Sequence, residues 1–143
     1  MASGTGVAAL GPSEGLPPWT IATAERRILA VDFAIEELVS LRHGATAALR
    51  VRPVVRHVKT GAIVPTWAYG RLSDEDIESV DRATTEFAGR LQPAEDEAQT
   101  PLILPQSFRT VAGRRGRTAL TQATRGSAQA LKSRIIVELT EVD

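Results

Sequence analysis

The sequence predicts a single α/β domain, and three observations indicate that class. The stretch from Leu49 to Arg71 contains two runs rich in β-branched residues, joined by a turn at Lys59-Thr60-Gly61, as in a β-hairpin. In front of it, apolar residues recur at three- and four-residue steps and predict a lead-in helix over 19–43. Behind it, short apolar runs at 102–104 and 135–139 enclose a helical segment. This strand–helix–strand order is typical of parallel β/α units.

Length and composition limit the function classes. The chain has 143 residues, 43% of them apolar and 24% charged, so one globular domain is expected. The formal net charge is zero, which gives no overall field to attract nucleic acid or an anionic membrane. The absence of cysteine excludes disulfides, Cys-ligated zinc and thiol nucleophiles. No apolar run reaches the ~18 to 20 residues of a membrane helix. We therefore predict a cytoplasmic protein with no membrane span and no cofactor.

Residues 1–18 are small, rich in Gly, Pro and Ser, and nearly uncharged, which predicts a flexible tail. They contain neither a basic start nor a long apolar core, so they do not resemble a signal peptide. The α/β domain is expected to occupy the remainder, 19–143.

Charge is unevenly distributed along the chain. Between 73 and 97 there are nine acidic residues and two arginines, whereas between 101 and 134 there are seven basic residues and no acidic one. One interpretation is that two solvated helix faces of opposite charge attract each other. The alternative is that the basic segment from Arg109 to Lys132 binds an anion or a nucleotide.

The lead-in helix is the first predicted element. Its apolar stripe includes Ile28, Ile35 and Leu38, while charged residues fall largely off the stripe. His43-Gly44 supplies the stop signal. The stripe must be buried, either on its own domain or as part of a dimerising or signalling helix that links to another domain, so these three residues are candidate interaction residues.

The hairpin follows. In its first strand, from Leu49 to Val58, Pro53 predicts a sheet edge or a bulge, because proline cannot donate to a ladder. The glycine of the turn supplies a positive φ. The second strand, from Ala62 to Tyr69, carries Trp67 and Tyr69 as alternating bulky side chains. These two could stack on a ligand base, although packing in a core or an interface is the simpler interpretation.

Two β/α units complete the prediction. Ser73 begins a helix as its N-cap, with Asp76 as the capping-box partner. The elements that follow are a buried strand at 102–104 that Pro105 ends, a helix with glycine breaks over 108–131, and a second buried strand at 135–139.

Several of these stretches resemble, in order and spacing, the EAL family of bacterial domains that bind or hydrolyse cyclic di-GMP. The family pattern is a strand YQPIVD, a TG turn, a strand ending in IxGxEALLRW, and later strands VNLS and LEITE. The corresponding stretches here are VRPVV at 51–55, TGAIV at 60–64, WAYGR at 67–71, LPQS at 104–107 and VELTE at 137–141. The resemblance covers roughly residues 49–142. It implies a partial (β/α) barrel, the first half of an EAL domain, because a closed barrel of this kind needs ~250 residues.

Matched residue by residue, the resemblance implies that catalysis is lost. The metal-binding glutamate of the EAL triplet falls on Trp67, and the metal-binding asparagine falls on Pro105. Glu138 matches a family metal-binding glutamate, and Arg71 matches the arginine that contacts the dinucleotide phosphate. The family's aspartate pair, later lysine and final glutamate would lie beyond Asp143. Phosphodiester hydrolysis needs several oxygen ligands around Mg²⁺ or Mn²⁺, and one carboxylate beside an indole and a proline does not supply them.

The sequence therefore predicts a non-catalytic, EAL-like regulatory or protein-interaction module, a pseudoenzyme linked to cyclic di-GMP signalling. No catalytic or metal-ligating residue is expected, and Arg71 and Glu138 are the candidate ligand-binding residues. Two alternatives stay open. One is a self-associating scaffold, such as a dimer, and the other is an anion- or nucleotide-binding module that uses the basic segment.

Overall fold

A computed structural model describes residues 19–91, 100–131 and 135–141, so the predicted flexible tail lies outside the described residues. The bounds of the elements are β1 Trp19–Ala22, β2 Ile28–Val39, β3 Thr46–His57, a 3₁₀ helix Thr66–Arg71, α1 Asp74–Arg90, β4 Leu102–Ser107, α2 Phe108–Ala112, α3 Arg114–Leu131 and β5 Ile135–Thr140. The five strands lie side by side in chain order. β1, β2 and β3 are antiparallel, whereas β3, β4 and β5 are parallel. The α/β class is confirmed, and within the described residues the sheet is open rather than closed into a barrel.

The predicted lead-in helix over 19–43 is wrong, because this stretch forms β1 and β2. Positions 28, 31 and 35 fit helical spacing, but positions 29, 31, 33 and 35 also fit the alternation of a strand. β2 pairs with β3 at eleven positions, and its buried residues alternate through its first half. This long-range pairing stabilises the strand rather than the helix, because tertiary contacts override a weak local propensity.

The candidate interaction stripe therefore does not lie on one face. Ile35 points to the helix-covered face of the sheet, where it packs against the core. Ile28 and Leu38 lie on the opposite face and are exposed. A stripe made of these three residues cannot form a single contact surface.

The predicted hairpin is half right. Its first strand coincides with β3, and the glycine of the turn has the expected positive φ, 69°. The predicted second strand, from Ala62 to Tyr69, is wrong. After one bridge between Arg56 and Ile63, the chain leaves the sheet at Pro65 and enters the 3₁₀ helix. Pro65 has no N–H with which to continue a ladder, and the antiparallel partner of β3 is β2 instead.

β3 as a whole lies between β2 and β4, but the side of the strand toward β4 is unpaired at Pro53, as the predicted sheet edge requires. The N–H of Leu49 donates to the carbonyl of Pro101 on the β4 side. Alternate residues of a strand direct their N–H groups to the same side, so position 53 also faces β4. Pairing with β4 ends at Arg50, so the lack of an N–H at Pro53 costs no hydrogen bond to β4.

The helix start and the two strands predicted for the second half are present, but the burial predicted for 135–139 is wrong, since Ile136, Val137 and Leu139 are exposed. The Ser73 hydroxyl accepts from the Asp76 N–H at 3.1 Å, and the Asp76 carboxylate accepts from the Ser73 N–H at 3.2 Å, as in a capping box. The strands predicted at 102–104 and 135–139 are present and parallel, although Pro105 does not end the first one, which continues to Ser107. Gly113 divides the predicted helix into α2 and α3, whereas α3 continues through Gly116 and Gly126 without the breaks predicted there.

The core lies between one face of the sheet and α1. Its buried members are Leu29, Val31, Phe33, Val51, Val55, Val64, Val80, Ala83, Phe87, Ala88, Leu102 and Leu104. The rings of Phe33 and Phe87 stack with centroids 4.3 Å apart, and Trp19 meets Phe33 edge-on at 5.4 Å. Burying each large apolar side chain contributes about 1.5 to 3 kcal/mol of transfer free energy. α3 packs on α1, where the Ser127 hydroxyl donates to the Thr85 carbonyl at 2.8 Å. None of the helices in the described ranges combines the length and the apolar character of a bilayer crossing.

Candidate functional site

A cleft opens where β3 and β4 separate. The two strands pair at only two positions, beginning with Leu49 and Leu102. Further along β3, segment 62–64 hydrogen-bonds to Val55 and His57 in place of β4. The cleft between them has a volume of about 300 Å³ and lies toward the carboxyl ends of β4 and β5. Ligands of open α/β sheets commonly bind at this end of the strands.

Charged side chains in the cleft are joined by ion pairs across the sheet. Arg50 of β3 donates to both oxygens of Glu138 on β5, with Nε 2.9 Å from Oε2 and the terminal nitrogen in close contact with Oε1. Glu36 of β2 lies 3.8 Å from Arg50 and accepts from the Nε of Arg52 at 2.5 Å. The hydrogen bonds from Arg50 to Glu138 raise the pKa of the guanidinium above its usual value. Both oxygens of Glu138 are therefore occupied by a cation of the same chain.

Asp81 forms the buried end of the cleft. It lies in the middle of α1 with 6% of its surface exposed, and its Oδ2 accepts from the Ser107 N–H at 3.0 Å. Burial raises the pKa of the Asp81 carboxyl to about 6, against the lowering effect of that hydrogen bond. The Ser107 hydroxyl donates to Glu141 at 2.6 Å, so Ser107 connects the two carboxyl groups. Glu141 has a positive φ of 59°, which is uncommon for a residue with a side chain.

The residues singled out in the sequence fall into two groups. Glu138 and Tyr69 line the cleft, where burial raises the pKa of the Tyr69 hydroxyl. Arg71 and Trp67 do not line it. Instead, the Arg71 guanidinium lies 5.6 Å from the centroid of the Trp67 ring, whose side chain is 75% exposed. Because this stretch is a 3₁₀ helix rather than a strand, Trp67 and Tyr69 point in different directions.

Metal binding depends on how the His, Asp and Glu side chains of the described residues are arranged. Among them, no three His, Asp or Glu side chains converge in a way that could hold a metal ion. The position matched to a metal-binding asparagine, Pro105, lines the cleft and offers no side-chain oxygen. The cleft can bind charged or polar groups through its arginines, carboxylates and hydroxyls, and Asp81 can exchange a proton near neutral pH.

Four residues of this site were not predicted, namely Arg50, Asp81, Ser107 and Glu141. Asp81 had a readable signal, because it lies four residues after Ile77 on the apolar stripe of α1. Arg50 had none, because the sequence does not reveal that β3 and β5 flank the same strand. Ser107 and Glu141 come together only through the register of β4 and β5.

The uneven charge distribution also has a structural counterpart. Arg109 of α2 donates to Asp74 of α1, with 2.7 Å between Nε and Oδ1. Arg115 of α3 lies 3.5 Å from Glu78 of α1. The acidic and basic helices therefore do attract each other, as the first interpretation predicted, while other arginines of α3 lie on a different face.

Comparison with known proteins finds no family model, no curated protein and no solved structure that matches this chain.

Proposed function

We propose that this chain is a non-catalytic module that acts by binding another protein chain, within cyclic di-GMP signalling in bacteria. The link to that signalling rests on the order and spacing of the EAL-like stretches in the sequence. The two parallel β/α units, β3–α1–β4 and β4–α2–α3–β5, are compatible with the start of a (β/α) barrel. We therefore also propose that the described fold corresponds to the first part of a (β/α) barrel.

The contacts of Glu138 support a non-catalytic role. In the matched family position a glutamate binds a metal ion, but here both carboxylate oxygens accept hydrogen bonds from Arg50. A divalent ion at Glu138 would lie next to a fixed guanidinium charge, and the repulsion would oppose binding. The charge of Glu138 is thus balanced without a metal.

Turnover measurements test this part of the proposal. We expect no hydrolysis of cyclic di-GMP when the protein is incubated with Mn²⁺ or Mg²⁺. The Glu138→Ala variant is the matched control for contaminating activity. Hydrolysis by the unaltered protein above that control would refute the non-catalytic assignment.

The edge position and the exposure of β5 support the proposal that the chain binds another protein chain. It is the last strand of the described sheet and pairs with β4 on one side. Ile136, Val137 and Leu139 remain 48%, 45% and 47% exposed, respectively. An edge strand with unpaired backbone groups and exposed apolar side chains is a template for adding another strand.

A second copy of the chain is the partner we propose. Two β5 strands related by a two-fold axis can pair antiparallel, which makes one surface complementary to itself. Repulsion between charged side chains would oppose such pairing. Glu138 is the acidic residue within β5, and Arg50 already balances its charge. The strand can therefore approach its copy without bringing two unpaired carboxylates together.

Light scattering over a range of protein concentrations tests the partner. We expect a dimer at high micromolar concentration, a monomer for Leu139→Lys, and a dimer for the control Val58→Lys. Val58 is 53% exposed and lies outside β5, so the control changes an equally exposed apolar residue elsewhere. A strict monomer of the unaltered protein, or equal loss of dimer in both variants, would refute strand pairing through β5.

A further inference from the structure

A second cleft lies between α3 and β5, away from the charged site. Its volume is about 480 Å³, and its walls are mostly apolar, with Leu120, Ile135 and Val137 among the lining residues. It opens on the helix-covered side of the sheet, whereas Glu138 points to the opposite side. The two clefts therefore do not share their charged groups.

The base of this cleft holds a buried acceptor with no partner. Gln106 is 1% exposed, and its Oε1 makes no hydrogen bond within the described residues. Its Nε2 donates to the Thr85 hydroxyl at 3.0 Å. That hydroxyl uses its own proton to donate to the Asp81 carbonyl at 3.0 Å, so toward Gln106 it can only accept. The amide cannot turn over without losing its hydrogen bond, and Oε1 stays the unpaired end.

An unpaired buried acceptor is unfavourable, because its hydration is lost and nothing replaces it. A molecule that brings an N–H group to Oε1 would remove this penalty. Oε1 is closed to solvent, so a ligand would have to displace neighbouring side chains to reach it. The acceptor thus favours ligands that carry a donor over purely apolar ligands.

The rim of the cleft is cationic. Arg117 and Arg125 of α3 line it, and no acidic side chain of the described residues does. The sequence extends this statement, because there is no acidic residue anywhere from Pro101 to Arg134. Arg117 donates to the carbonyls of Val111 and Ala112, whereas Arg125 is exposed and makes no hydrogen bond or ion pair through its side chain among the described residues. An anionic group at the mouth of the cleft would be attracted by both charges.

We infer that the cleft between α3 and β5 binds an N-acylated apolar amino acid. Its side chain would contact Leu120, Ile135 and Val137, its amide N–H would donate to Gln106, and its carboxylate would pair with Arg125. A free N-acyl amino acid and the C-terminus of a polypeptide present this same chemistry. The inference is independent of the proposed function, because it requires neither the EAL assignment nor pairing through β5.

Titrations followed by amide chemical-shift changes test the inference with four probes. N-acetyl-leucine carries all three features, N-acetyl-leucine amide lacks the anion, and 4-methylpentanoate lacks the N–H donor. The peptide Gly-Gly-Ala-Leu with a free carboxylate represents the polypeptide source. We expect N-acetyl-leucine to bind with at least a fivefold lower Kd than either incomplete probe, and added salt to weaken it. Tighter binding of the peptide than of N-acetyl-leucine would assign the site to a protein C-terminus, and weaker binding would assign it to a free metabolite.

Three variants localise the binding. Arg125→Gln should raise the Kd of N-acetyl-leucine at least fivefold while leaving the Kd of N-acetyl-leucine amide, the uncharged probe, unchanged. Gln106→Met removes the acceptor at similar volume and should abolish the preference for the N–H donor. Arg114→Gln is the control on the same helix, since Arg114 does not line this cleft. Because Arg125 is exposed, its variant keeps the test decisive even if the Gln106 variant fails to fold. Equal Kd values for all the probes, or equal effects of the Arg125 and Arg114 variants, would overturn the inference.

Discussion

Asp81 provides a quantitative prediction, because its carboxyl is buried in the folded chain and exposed in the unfolded one. Burial raises the folded-state pKa from 3.8 to about 6. The folded protein therefore binds the proton of Asp81 more tightly than the unfolded chain does. Between about pH 4 and pH 6 the folded state holds the Asp81 proton more often than the unfolded chain does, so the contribution of Asp81 to stability falls as the pH rises.

The size of the effect follows from the shift. A difference of about 2 pH units corresponds to about 3 kcal/mol, because each unit contributes about 1.4 kcal/mol. Asp81→Asn cannot ionise, and its amide oxygen can still accept from the Ser107 N–H. We expect this variant to match the unaltered protein near pH 3.5 and to be more stable by up to about 3 kcal/mol at pH 7.

Urea unfolding followed by circular dichroism, from pH 3.5 to 7.5, measures the free energy of unfolding of both proteins. The control is Glu75→Gln, which changes a carboxylate of the same helix whose side chain is 74% exposed. In parallel, the carbon-13 shift of the Asp81 carboxyl should titrate with a midpoint near 6. Parallel stability curves for Asp81→Asn and the unaltered protein would show that burial of this carboxyl does not govern the pH dependence.

Two further predictions concern α3 and the start of α1. Gly116→Ala should lower the free energy of unfolding by at least about 2 kcal/mol, because the added Cβ would lie 2.2 Å from the Thr110 carbonyl oxygen. The control Gly126→Ala, with no atom within 4 Å of its Cβ, should instead raise it by up to about 1 kcal/mol, and the same sign for both would contradict this account. Ser73→Ala should lower the free energy of unfolding by about 1 kcal/mol, since the Asp76 N–H loses its acceptor. Ser73→Asp supplies another acceptor and should restore the stability, and thermal unfolding of the two variants measures both effects.

The sequence was most informative where the structure is local. The Ser73–Asp76 capping box, the helix that follows it and the short apolar strands 102–104 and 135–139 depend on neighbours in the chain, and all were predicted. The helix predicted over 19–43 failed for the opposite reason. Its residues fit two periodicities, and the choice between them is made by β3, whose paired residues lie 7 to 28 positions away in the sequence.

The candidate site follows the same division. Glu138 could be selected from a motif, because the LEITE-like stretch is contiguous. Its partner Arg50 could not be selected in this way, since it lies 88 residues earlier in the sequence. The two side chains are close because β3 and β5 both lie beside β4 in the sheet. Trp67 was wrongly predicted to lie on a strand beside Tyr69, because a single bridge, rather than a strand, follows the turn at Gly61.

The Arg50–Glu138 pair also connects the cleft to the proposed interaction edge. It spans β4, so the backbone of β5 is held from the cleft side through a side chain of β3. An anion that binds Arg50 would compete with Glu138 and leave a partly exposed carboxylate on β5. Two such carboxylates brought together by strand pairing would repel each other. If β5 pairs with a second copy, anions that bind in the cleft should therefore weaken the dimer, and light scattering with and without cyclic di-GMP will show whether they do.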